Sequence, residues 1–80
     1  MYYVYCIKST KFTDKVYVGY TTNVEQRLAT HNSGGSIYTV KDRPWKLFLT
    51  MCFVDKNKAL KFEKYLKSQS GRAFAKKRFW

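Results

Sequence analysis

The 80-residue sequence predicts an α/β domain of the α+β kind, with elements in β-β-α-β-α order and a short basic helix at the end. Three observations carry that prediction. Two strand-like runs are joined by a short polar link, a third strand-like run lies between two segments of helical periodicity, and the first strand is apolar on both of its alternating sets.

The run YYVYCIKS, Tyr2–Ser9, carries β-branched and aromatic residues on both faces, as a central strand covered on two sides does. Residues 16–20, VYVGY, form the second strand, and residues 10–15 are few enough to make the link an antiparallel hairpin. If Tyr5 and Tyr17 pair across it, both hydroxyls emerge on one face. Gly19 spares a side chain where substrate or a helix backbone comes close.

Thr22-Asn23-Val24-Glu25 matches a capping box, and a helix should run from it to about residue 32. Its inward stripe is Val24, Arg27, Leu28 and His31, an odd set for a core. Residues 33–44, SGGSIYTVKDRP, read as a flexible loop, and Trp45–Phe53 alternates as a third strand. Asp55 suits the cap of a second helix reaching about residue 69, with Gly71 in the left-handed turn that ends it. That helix places Glu63 in the stripe of Ala59, Phe62 and Leu66. Both helices are thus expected to turn their odd charge, Arg27 and Glu63, to the sheet face bearing Tyr5 and Tyr17. The tail, RAFAKKRFW, reads as a short basic helix with Phe74 as its inward anchor, while Phe79 and Trp80 either seal the core or dock a partner.

Residues 1–80 read as a single domain with one core, burying roughly 60 to 65 per cent of the unfolded surface. Apolar residues at 45% exclude a disordered basic tail, so the net charge of +11 sits on a folded body. For a soluble chain, that charge selects nucleic acid as the partner. Nine of the sixteen cations fall in residues 56–80 with one acid, Glu63. Cys6 and Cys52 have apolar neighbours and are expected as buried thiols, consistent with a cytoplasmic location. The apolar opening stops at Lys8, too short for a signal peptide or a membrane span.

Tyr3-Val4-Tyr5 and Tyr17-Val18-Gly19 stand where the GIY-YIG nucleases place their two name-giving tripeptides. Arg27 and His31 on the first helix, Asn32 and a glycine-containing loop, and Glu63 on the second helix follow in the family's order. The chain therefore resembles that superfamily over nearly its whole length, most closely small stand-alone bacterial members similar to the excinuclease nuclease domain.

The resemblance implies a three-stranded antiparallel sheet with the first strand central and helices packed around it. It also implies an endonuclease that hydrolyses phosphodiester bonds in DNA, with RNA as a further substrate class. In that scheme Tyr17 positions or deprotonates the attacking water and Tyr5 hydrogen-bonds beside it. Arg27 supplies paired donors to phosphate oxygens, His31 assists proton transfer or contacts phosphate, and Glu63 holds Mg²⁺ or Mn²⁺. A site that stabilises developing charge on attacking and leaving oxygens needs such fixed cations. Lys67, Arg72, Lys76, Lys77 and Arg78 are expected to supply salt-sensitive, sequence-independent affinity.

Each residue also has a bland reading: Glu63 as an ion pair with Lys67 at i+4, Arg27 as an exposed helix side chain, His31 as a satisfied structural residue, and Asn32 as a helix cap. The alternative for the whole chain is a non-catalytic nucleic-acid binding module. The sequence departs from the family pattern at Tyr3, where the first glycine would stand, and at Tyr20, where some members carry a cation. It also has no asparagine beyond Glu63.

Overall fold

A computed structural model describes residues 1–79; Trp80 lies outside the described residues. The chain forms β1 (Tyr2–Ser9), β2 (Val16–Thr21), α1 (Val24–Ser33), a 3-10 turn at Val40–Asp42, β3 (Trp45–Phe53), α2 (Lys56–Lys67) and α3 (Gln69–Arg78). The sheet order is β2-β1-β3 with both pairings antiparallel, which makes the first strand central as its doubly apolar pattern requires. Val4 and Cys6 are buried on one face against Ala59 and Leu66 of α2 and Ala75 of α3. Tyr5 and Ile7 are buried on the other with Trp45, packed by Val24 and Leu28 of α1. Among the described residues no helix is long and apolar enough to cross a membrane.

The hairpin register differs from a direct Tyr5–Tyr17 pair. Tyr5 lies opposite Gly19 and Tyr17 opposite Ile7, so the two tyrosines are diagonal neighbours on one face with ring centroids 6.4 Å apart. Gly19 is required by Tyr5 itself rather than by substrate or a helix. A Cβ there would collide with the Tyr5 hydroxyl and ring, which lie over the bare backbone of the edge strand.

The cap of α1 is Asn23, one residue beyond the expected Thr22. Its Oδ1 accepts from the Gln26 amide at 3.1 Å, while Thr21 Oγ1 accepts from the Asn23 amide. Gly34, in the left-handed conformation at φ 87°, closes the helix. Asn32 does not cap the helix. Its amide donates to the Trp45 carbonyl at 3.0 Å and its Oδ1 accepts from the Trp45 N–H, tying the end of α1 to the start of β3.

Asp55 caps α2 as expected, its Oδ1 accepting from the Asn57 amide at 2.8 Å. The helix then ends at Lys67 rather than near residue 69, because Ser68 adopts extended backbone and its Oγ accepts from the Gly71 amide as the cap of α3. Gly71 therefore sits inside α3 instead of terminating α2. It is buried at the crossing, where a Cβ would strike the Tyr65 carbonyl. Ala75, one turn on, is the inward anchor of α3; Phe74 is partly exposed and packs on Tyr65 and Phe79. Small residues at positions 71 and 75 let the two helices approach closely, which leaves the larger ring outside. Phe79 packs against the core, and Cys52, expected to be buried, is exposed on the edge strand β3.

Candidate active site

The densest polar arrangement inside the protein runs from β1 through α1 to the segment before β3. The Tyr5 hydroxyl lies 2.7 Å from His31 Nε2, and His31 Nδ1 lies 2.7 Å from Thr39 Oγ1. The Trp45 indole N–H donates to the Thr39 carbonyl at 2.9 Å. Tyr5, His31 and Thr39 are each at most 2% exposed, so these bonds are shielded from water.

Burial, followed by the neighbouring Tyr17, pushes the Tyr5 phenol up to about 12, while the charge of Arg27 pulls the other way. Tyr5 is thus a neutral phenol, and its hydroxyl and Thr39 Oγ1 occupy the two ring nitrogens of the imidazole. Burial, then Arg27, holds His31 below the usual histidine range, favouring the neutral imidazole.

This burial has a measurable consequence. An unfolded chain takes up a proton at His31 that the folded chain resists. The resulting stability is present above the unfolded value near 6.5 and is lost as pH falls through the lower folded value. Urea midpoints measured across that range should fall more steeply for the native protein than for His31→Gln; parallel profiles would contradict the assignment.

Tyr17 stands beside this network, its ring 5.0 Å from the His31 ring, but it is only half-buried. It lines an opening of about 340 Å³ together with Arg27, His31, Ile37 and Tyr38. Arg27 is exposed at the rim rather than turned into the core, close enough to Tyr5 to perturb it. A guanidinium there keeps its hydration, and the stripe of α1 is completed by His31, the helix's one buried side chain.

Glu63 arrives from the opposite side of the sheet. The buried residues of α2, Ala59 and Leu66, face Val4 and Cys6, not the face bearing Tyr5 and Tyr17. Because β2 is an edge strand, the last turns of α2 reach past it. Lys67 Nζ stands 5.5 Å from the Tyr17 ring centroid, and Glu63 contributes to the electrostatic field at Tyr5. Glu63 Oε2 pairs with Lys67 Nζ at 2.5 Å, with the Glu63 side chain 18% exposed. The i+4 pair and the approach to the tyrosines therefore coexist.

Tyr5, Tyr17, Arg27, His31 and Glu63 are thus brought together across one sheet edge. Of the five cations assigned to nucleic acid, Lys67, Arg72 and Lys76 line a groove beside Tyr17; Lys77 and Arg78 do not. Thr39 and Trp45, which complete the histidine's bonding, were not legible in sequence. Thr39 lies in a segment with the composition of a loop, and nothing local marks its side chain as buried.

The sequence model of the GIY-YIG catalytic domain matches residues 1–78. The chain is 43% identical over 70 residues to a UPF0213 protein of Staphylococcus haemolyticus, the matched part covering 86% of this chain and 83% of that one. It is 46% identical over 56 residues to a UPF0213 protein of Bacillus licheniformis, covering 69% and 58% of the two chains. To the UPF0213 protein YsiG of Lactococcus lactis it is 43% identical over 67 residues, covering 82% and 62%. The family match takes in every strand and helix that contributes a side chain to this opening, and on that basis the chain belongs to the GIY-YIG catalytic domain family.

Proposed function

We propose that this protein is a metal-dependent endonuclease that hydrolyses phosphodiester bonds in DNA, acting structure-selectively or without sequence preference in repair or other nucleic-acid processing in the cytoplasm. The observation that carries the proposal is that Tyr17 and Arg27 share one opening while Glu63 acts electrostatically on the adjoining Tyr5, at one sheet edge of a +11 chain. Family membership supports the reaction class.

Tyr17 is the better candidate to orient attacking water, because it borders open space while Tyr5 is buried and held by His31. Arg27, exposed at the same rim, offers its forked donors to phosphate oxygens. Both nitrogens of His31 are bonded, so its role is to hold Tyr5 rather than to shuttle protons to solvent. The donor set suits a hard divalent ion: one partly accessible carboxylate, Glu63, with no free imidazole beside it. Mg²⁺ or Mn²⁺ held there, with water and substrate oxygens as further ligands, would supply Lewis-acid stabilisation of developing charge. Among the described residues no group of three or more His, Cys, Asp or Glu could hold a metal ion.

The Glu63–Lys67 pair favours a second reading, a binding module whose carboxylate is committed to its lysine. Incubation with branched, nicked, single-stranded and duplex DNA, each with Mg²⁺, Mn²⁺ or chelator, separates the two, with matched RNA as a further arm. Cutting that requires metal is expected. Salt-sensitive binding with no product on any substrate would select the binding module.

A further inference from the structure

A second concavity adjoins the site. A groove of about 570 Å³ runs between the edge strand β2 and the helices α2 and α3, with Val18, Leu66 and Ala75 among its apolar lining. Four cations border it, Lys15 from the hairpin and Lys67, Arg72 and Lys76 from the helices, against one acid, Asp14. Tyr17 lines this groove and also the opening beside Arg27, and it is the one described residue common to both. At the mouth of that opening Ile37 and Tyr38 are 81% and 80% exposed, an apolar pair turned to solvent beside a phosphate-binding candidate.

We infer that the groove and the opening form one track for a single strand of nucleic acid that crosses Tyr17. One flank of the strand lies among Lys15, Arg72 and Lys76, and on the other flank an unstacked base rests on Tyr38. The inference rests on the nuclease reading above and names its substrate form. A duplex presents phosphates and sugars to a surface and keeps its bases paired inside. It would satisfy the cations but gain nothing from the aliphatic lining or from Tyr38. A single strand satisfies both, its phosphates meeting the cations and its bases the apolar surface. Lys15 belongs to this track although it lies far in sequence from the basic tail, whereas Lys77 and Arg78 stand outside it.

Fluorescence anisotropy in chelator, without turnover, tests the track with labelled single-stranded DNA, the matching RNA and the DNA duplex. One single strand should bind at least about tenfold more tightly than the duplex. Lys15→Glu with Lys76→Glu should weaken single-strand binding about tenfold or more and flatten its log–log salt dependence by roughly 0.7 per lost contact. Tyr38→Ala should weaken it about fivefold or more, and Tyr38→Trp should restore it. Lys77→Glu with Arg78→Glu, the same charge change outside the track, should cost markedly less. All of these positions are exposed, so circular dichroism should be unchanged. Equal affinity for the duplex, or equal losses from the two charge-reversed pairs, would overturn the track. Metal-dependent cutting measured alongside keeps the outcomes apart: cutting without strand preference defeats the track alone, and strand-selective binding without cutting defeats the nuclease reading alone.

Discussion

Glu63→Gln is expected to lower metal-dependent cleavage by at least about a hundredfold, the usual cost of deleting one preorganised electrostatic contact to the transition state. Glutamine keeps the shape of the side chain but removes the anionic oxygen that a hard cation requires. The pair with Lys67 is lost as well, yet Lys67 is substantially exposed and can hydrate freely, so the fold should persist. Initial rates in Mg²⁺, set beside anisotropy in chelator, separate the effects: the rate collapses while affinity for nucleic acid holds or rises. A rate within a few-fold of native would sink the assignment. Arg27→Ala should act on the same rate, and Arg27→Lys should recover only part of it, because a point charge does not reproduce the fork. Tyr17→Phe should lower turnover with the fold intact. Tyr5→Phe should instead cost stability, because it leaves His31 Nε2 buried without its hydrogen-bond partner.

Gly71→Ala should destabilise the protein by about 2 to 3 kcal/mol, against the helix propensity of the two residues, which favours alanine by about 1 kcal/mol. The reason is positional. The added Cβ is directed at the Tyr65 carbonyl, and its neighbours are backbone atoms at the α2–α3 crossing rather than the end of a flexible side chain. Relief requires the helices to separate, which loosens Ala75 and Leu66 from the core. In thermal unfolding a change of that size should lower the midpoint by about 10 °C or more in so small a domain. Ala73→Gly, at an exposed position of the same helix, should cost only about 1 kcal/mol by propensity alone. Alanine preferred at 73 and glycine at 71 is the expected pattern. A midpoint unmoved or raised by Gly71→Ala would refute the close crossing.

The failures of local reading share a cause. Thr22 and Asn23 are both good caps by type; in the fold Asn23 caps α1, its own amide held by Thr21 Oγ1 at the end of β2. Gly71 fits a helix stop by type, but whether glycine serves a left-handed turn or a close approach depends on what lies against it, here Tyr65. Phe74 outranks Ala75 in hydrophobicity, yet the narrow gap between α2 and α3 admits only the smaller side chain.

By itself, the sequence determined the order of elements, the central place of β1, the basic character of the surface and the odd polar residues on the helical stripes, Arg27, His31 and Glu63. These follow from hydrophobic period and charge, which local chain geometry reads directly. Only the tertiary structure decided how those side chains meet. The hairpin register set Tyr5 over Gly19 and diagonal to Tyr17, and packing left Arg27 at the rim with His31 buried beneath it. It was the narrowness of a three-stranded sheet, with β2 as its edge, that let Lys67 approach Tyr17 and Glu63 act on Tyr5 from the opposite face. Such contacts join residues tens of positions apart, and their free energy depends on burial and distance, which no local pattern along the chain encodes.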